Sequence, residues 1–219
     1  MIKIIRIEES IFQENEKIAD QVRNILRGNN ILGINVMGAP GSGKTSFIER
    51  TIDVLKDEFK FGVIEGDVEG KVDSEKFLKF NISVIQINTG GGCHLDANMV
   101  KKAVSEIDLE QIEILFIENV GNLICPAEFD IGTEKNIVIS SITEGDDKIE
   151  KYPLIFKVSD LCILNKIDLV PYLDFDFGKF ENDLKNISSG SKLIKLSSKT
   201  GENFNIWIEY LKGLKREKK

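Results

Sequence analysis

A run of eight residues, Gly38-Ala39-Pro40-Gly41-Ser42-Gly43-Lys44-Thr45, sets glycines around one ammonium and one terminal hydroxyl. It fits the pattern G-x-x-x-x-G-K-S/T, whose chemistry is the capture of phosphates. The glycines let backbone N–H groups turn onto an anion, and the start of a following helix adds partial positive charge. Lys44 is placed to reach β- and γ-phosphate oxygens, and the Thr45 hydroxyl to ligate Mg²⁺. Ser46 continues the cradle into the helix.

Asn165-Lys166-Ile167-Asp168 supplies a second recognition element. The carboxylate of Asp168 can accept from both N1–H and the 2-amino group of guanine, and adenine offers neither donor there. A buried acceptor of this kind rejects a ligand that leaves it unpaired. Asn165 would brace the loop and the stem of Lys166 would lie along the purine face. Ser197, Ser198 and Lys199 would close over the base.

Glu118 ends the apolar run Ile114-Leu115-Phe116-Ile117 and precedes Asn119-Val120-Gly121. An acid at a strand tip beside a phosphate loop is placed to hold Mg²⁺, directly or through water. Gly121 lets backbone approach a γ-phosphate, so its loop can sense that group. Asp67 or Asp73 would complete the Mg²⁺ shell or orient the attacking water. The candidate catalytic set is therefore Lys44, Asp67, Glu118 and Gly121.

Softer donors lie nearby. Cys93 and His94 follow Gly90-Gly91-Gly92, and Cys125-Pro126 lies shortly after Glu118. Two thiolates and an imidazole suit Zn²⁺ or Ni²⁺. Three donors leave four-coordination incomplete, which points to exchange, a water or a ligand from a partner. The same residues also read as a small buried thiol beside an ordinary surface histidine, and the residues alone leave both open. Cys162 sits inside an apolar run and reads as core.

The elements that must position these groups alternate. Strands are expected at Ile31–Met37, Phe61–Glu65, Ser83–Asn88, Ile114–Glu118, Asn136–Ile142, Leu161–Leu164 and Lys192–Leu196. Helical stretches are expected at about 46–59, 74–80, 95–106, 176–187 and 203–216. The strands are near-continuous apolar runs, the mark of a parallel sheet covered on both faces. The fold class is thus a doubly wound, mostly parallel α/β sheet with helices on both faces, a P-loop NTPase architecture. Such sheets bind ligands beyond the carboxyl ends of their strands, where every motif above falls. Residues 1–30 read as an appended helical segment. Ser10 and Gln13 fit a capping box, and Ile11, Ile18, Val22, Ile25 and Leu26 form one apolar stripe. Arg27-Gly28-Asn29-Asn30 stops that helix.

The chain has 219 residues, 42% of them hydrophobic, which suits one domain over 1–219. Its net charge of −7 argues against a general nucleic-acid surface. The basic run Lys215–Lys219 reads as a solvated helix end. Three widely spaced cysteines do not form a disulfide framework. No apolar run approaches the ~20 residues of a membrane span, and the N-terminus is too short and mixed for a signal peptide. A cytoplasmic location is expected.

Together these residues resemble the hydrogenase nickel-incorporation GTPases, accessory proteins that help load nickel into nickel–iron hydrogenase. The resemblance covers nearly the whole chain. It is carried by residues 38–45, Glu65-Gly66-Asp67, Gly90-Gly91-Gly92-Cys93-His94-Leu95-Asp96-Ala97, the segment Glu118 to Ala127, and Asn165-Lys166-Ile167-Asp168. It implies a slow GTPase that binds GTP or GDP with Mg²⁺ and carries Ni²⁺ or Zn²⁺ on Cys93, His94 and Cys125. Its magnesium residues fall on Thr45 and Glu118, with a switch acid at Asp67 or Asp73. It also implies a GTP-dependent homodimer with the metal at its interface, acting on a hydrogenase precursor with other maturation proteins. Many relatives carry an N-terminal cysteine-rich motif or a histidine-rich tract, and no cysteine precedes Cys93 here. Rival readings are an accessory GTPase for another nickel enzyme such as urease, a metal-carrying module with vestigial GTPase activity, and a signalling GTPase whose cysteines only pack. Urease-type relatives carry Cys-Pro-His, whereas Cys125-Pro126 is followed here by Ala127.

Overall fold

The computed structural model describes residues 7–67, 76–188 and 190–218, with side chains from residue 11 onward. Seven strands form one parallel sheet in the order β3-β2-β4-β1-β5-β6-β7. They are β1 (Leu32–Met37), β2 (Phe61–Asp67), β3 (Ser83–Asn88), β4 (Ile114–Glu118), β5 (Lys135–Ser141), β6 (Leu161–Asn165) and β7 (Lys192–Lys195). Every residue of β1, β4 and β6 is buried, as strands covered on both faces require. The longer helices are α1 (Ile7–Gly28), α2 (Lys44–Leu55), α3 (Ala97–Glu106), α6 (Phe177–Ile187) and α7 (Phe204–Glu217). Two short ones, α4 (Lys148–Lys151) and α5 (Pro153–Lys157), link β5 to β6.

Alternate side chains of the strands feed two opposite faces. Ile34, Val36 and Phe116 pack with Phe47, Ile48 and Trp207 from α2 and α7. On the other face Leu115 and Ile117 pack with Val22, Leu26, Val100 and Val104 from α1 and α3. Val138, Cys162 and Leu164 meet Ile155, Phe156, Phe180 and Leu184 further along. The indole N–H of Trp207 donates to Thr51 Oγ1 at 2.8 Å, which fastens α7 to the phosphate-loop helix without leaving a buried donor unpaired.

All seven strand expectations hold to within two residues at each end. Several local ones do not. Ser10 lies within α1, which starts at Ile7, so the proposed capping box at Ser10 and Gln13 does not start the helix. Ile11 is exposed; the buried side of α1 is Asn15, Ala19, Val22 and Leu26, with Ile18 and Ile25 at its margin. The helix expected at 74–80 begins outside the described residues, and what is described is a single 3₁₀ turn, Leu78–Phe80.

The chain leaves β1 for one half of the sheet and crosses to the other half after β4. The carboxyl ends of β1 and β4 therefore flank a crevice at the switch in winding, the place where such folds bind ligands.

Candidate nucleotide and metal site

The phosphate loop joins β1 to α2. Gly43 caps α2 with φ 100° and ψ 28°, a left-handed conformation that suits glycine. A Cβ there would also lie 2.4 Å from Asn165 Nδ2, so the position is closed to any side chain. Lys44 is buried and its Nζ donates to the carbonyls of Gly38 at 3.3 Å and Ala39 at 3.2 Å. The ammonium therefore lies across the loop, where phosphate oxygens would arrive. Ser42 Oγ is buried and without a hydrogen-bond partner among the described residues. A cavity of about 530 Å³ opens above, lined by Pro40, Gly41, Gly43, Lys44, Thr45, Ser46, Asp67, Glu118 and Gly121 among others.

Thr45 Oγ1 donates to Glu118 Oε1 at 2.8 Å, which brings the first turn of α2 to the tip of β4. Two hard oxygen donors at the mouth of the cradle fit Mg²⁺. Asp67 lines the same cavity, and Asp73 lies outside the described residues. Glu65 is buried in this cavity and stands directly beside Glu118 across the β2–β4 ladder. The motif Glu65-Gly66-Asp67 assigns Glu65 no role. Its signal was a carboxylate one turn of the pleat before the strand end. Gly121 packs on Pro40, whose backbone N would lie 3.0 Å from an added Cβ, so this loop touches the phosphate loop directly.

The Asn165–Asp168 loop forms the wall of a second cavity of about 680 Å³, lined by Gly43, Ser46, Arg50, Lys166, Asp168, Ser198 and Lys199 among others. Asn165 braces three segments: its Nδ2 donates to Ser42 O at 3.0 Å, and its Oδ1 accepts from Lys166 N at 2.8 Å and Ser198 N at 3.0 Å. Lys166, with φ 64°, reaches Gly41 O with its Nζ at 2.6 Å, so its stem spans the space where a purine would lie. Asp168 Oδ1 is buried and has no hydrogen-bond partner among the described residues. That is the acceptor a guanine edge needs. Ser197 is buried and accepts from Thr200 N at 3.0 Å, closing the turn that presents Ser198 and Lys199. Arg50, unremarked in the sequence, ties this turn to α2 through the carbonyls of Ser198 at 3.2 Å and Lys199 at 3.1 Å.

Cys93, His94 and Cys125 converge, their donor atoms all within 4.8 Å of one another. Cys93 Sγ lies 2.9 Å from Cys125 Sγ and 3.6 Å from His94 Nδ1. All three cysteines of the chain are free thiols. Hydrogen bonding to Cys93 holds the Cys125 thiol above its ordinary pKa, and burial adds to it. Burial pushes His94 the other way, toward the neutral imidazole that binds metal. The ring of His94 stacks on Phe129, centroids 4.0 Å apart at 24°, and Phe129 meets Phe12 of α1 at 5.1 Å. Asn15 of α1 holds the ends of both segments that carry the thiol cluster, donating to Asp130 O at 2.8 Å and accepting from Ala97 N at 2.9 Å. Cys162 is buried in β6, as expected of core, and burial raises its thiol pKa strongly.

Lys151 pairs with Asp147, and Lys148 Nζ stands 5.6 Å from the ring of Tyr152. No helix among the described residues is long and apolar enough to cross a membrane.

Residues 32–195 match the family model described as the CobW/HypB/UreG nucleotide-binding domain. The chain is 45% identical over 219 residues to a probable hydrogenase maturation factor HypB of Methanocaldococcus jannaschii, covering 100% of this chain and 99% of that one. Among solved structures it is similar to HypB from Archaeoglobus fulgidus, with TM-score 0.87 and 43% identity over 93% of this chain and 99% of the other. HypB from Helicobacter pylori in complex with nickel superimposes with TM-score 0.89 and 36% identity over 93% of this chain and 96% of the other.

Proposed function

The chain belongs to the CobW/HypB/UreG family of nucleotide-binding proteins, and on that premise we propose that it is a GTP-hydrolysing nickel carrier that assists nickel insertion into a nickel–iron hydrogenase. One observation carries this reading. The segment that starts at Glu118, bonded to Thr45 of the phosphate loop helix, ends at Cys125, beside Cys93 and His94. A single stretch of seven residues after the strand tip thus serves a nucleotide at one end and a soft metal at the other.

GTP would lie with its base against Asp168 and its phosphates over residues 38–45. Mg²⁺, held by Thr45 and Glu118 with Asp67 or Asp73 near, would neutralise charge on the β- and γ-phosphates. Catalysis then rests on positioning: Lys44 faces the phosphates and the Gly121 backbone faces the terminal one. Turnover is slow on this reading, because no arginine is among the described residues that line the phosphate cavity. The cargo Ni²⁺, or Zn²⁺ in its place, would take the two sulfurs and the imidazole. A symmetric second copy would fill the coordination that one chain leaves open, which makes the assembly a homodimer sensitive to GTP. Other maturation proteins and the hydrogenase precursor are its partners, in the cytoplasm. A domain spanning the whole chain, with α1 as its N-terminal addition, completes the proposal.

The test is nickel affinity of the wild-type chain with a non-hydrolysable GTP analogue and with GDP. A difference of several-fold is expected, and nickel must shift the preference for GTP analogue over GDP by the same factor. Equal affinities, at concentrations where the chain is monomeric and where it is dimeric, would sink the coupling.

A further inference from the structure

The two halves of the thiol cluster reach the nucleotide by different routes. Cys125 is chained to Glu118 along the backbone. Cys93 sits on the loop after β3 and has no such continuity with the phosphate loop. Of the two asparagines near Gly121, one supplies the missing link. Asn119 is buried; its Oδ1 accepts from Leu95 N at 3.0 Å and its Nδ2 donates to Asn35 Oδ1 of β1 at 3.2 Å. The first bond reaches the loop that carries Cys93 and His94, and the second anchors Asn119 to β1, but neither touches the phosphate loop or the turn that carries Cys125. Asn122 is placed differently. Its backbone N–H donates to Gly38 O at 3.1 Å, the first residue of the phosphate loop. Its Nδ2 donates to Cys93 O at 3.2 Å, and its Oδ1 accepts from Ile124 N at 2.9 Å, next to Cys125.

We infer that Asn122 is the positioning residue that couples the two sites, its backbone N–H holding the phosphate loop while its side-chain amide holds both cysteine-bearing loops. The inference rests on the reading of this chain as a nucleotide-dependent metal carrier. A terminal phosphate that draws Gly121 toward it shifts Asn122, its neighbour in the chain. The backbone bond to Gly38 and the side-chain bond to Cys93 cannot both keep their geometry through such a shift. Metal affinity then differs between nucleotide states because the Cys93 and Cys125 sulfurs are re-aimed relative to each other, the differential contact that a shift in equilibrium requires.

The experiment measures Ni²⁺ affinity by competition with a chromophoric chelator, on the full chain at one fixed concentration. GTP analogue with Mg²⁺ is compared with GDP and Mg²⁺. Wild type should show a ratio within the roughly 5- to 150-fold range of allosteric coupling. In Asn122→Ala the ratio should collapse below about twofold on that same scale. Asn122→Asp retains an acceptor for Ile124 N but loses the donor to Cys93, and should collapse likewise; it keeps the test sharp if the alanine variant folds poorly. A variant that keeps the wild-type ratio overturns the inference. So does an equal loss of affinity in both nucleotide states, which is what mere structural support would give. A wild-type ratio of one fails at the earlier step and overturns the carrier reading itself, so the two failures are distinguishable.

Discussion

Asp168 holds a buried carboxylate oxygen with no hydrogen-bond partner among the described residues, at the wall of the cavity that Lys166 and Ser198 also line. Leaving such an acceptor unpaired is costly, and pairing it with a base edge is the discriminating step. Asp168→Ala should therefore weaken GDP binding by at least about a hundredfold, read by calorimetry. Asp168→Asn offers an amide donor in place of one oxygen and should favour xanthosine diphosphate over GDP; unchanged preference would remove Asp168 from base recognition. Glu118→Ala should lower GTP turnover by roughly a hundredfold and raise the Mg²⁺ needed for half-maximal rate, followed by phosphate release. These residues were legible because each motif pairs a fixed spacing with a strand end. Asn15, Asn122, Phe129 and Arg50 were not. Their roles depend on partners dozens of residues away, such as Asn15 with Ala97 and Asp130, and no local pattern announces such a pairing.

The elements follow the same division. Strands buried on both faces show as continuous apolar runs, so the sheet could be read directly. The helices α4 and α5 are four and five residues long, too short to display a helical period, and they went unread. A plausible cap sequence, Ser10 to Gln13, lies inside α1 and does not mark its start. That helix matters to the site: Ala19, Val22 and Leu26 are fully or almost fully buried, and burying a side chain such as Leu26 contributes about 1.5–3 kcal/mol. Gly132, at φ +82°, admits its close approach, and a Cβ there would stand 2.4 Å from Ala19 O. Gly132→Ala should cost about 1–3 kcal/mol in denaturant unfolding. It should also loosen nickel binding, because α1 carries Asn15 and Phe12 to the metal loops. Full stability in that variant would show that α1 is held elsewhere.

At the scale of the molecule, both cavities and the thiol cluster lie toward the carboxyl edge of one sheet. At the opposite edge the expectation of a solvated helix end at Lys215–Lys219 is corrected for Lys215 and Lys218: Lys215 is buried and its Nζ donates to Asn30 O at 2.7 Å, and Lys218 pairs with Glu134, so the end of α7 fastens the turn into β1. If a second copy completes the metal site, GTP analogue and Ni²⁺ together should raise the dimer fraction in size-exclusion chromatography. Cys125→Ala should erase the nickel part of that effect. The three thiols divide in the same way, with Cys93 exposed, Cys125 half-buried and Cys162 sealed inside β6. An alkylating reagent followed by mass spectrometry should thus add two tags to the native chain, none of them when cargo is loaded, and the third only after denaturant is added. The interior sulfur makes the protein its own standard for occupancy, so loading can be scored in crude mixtures without purification or a chromophore.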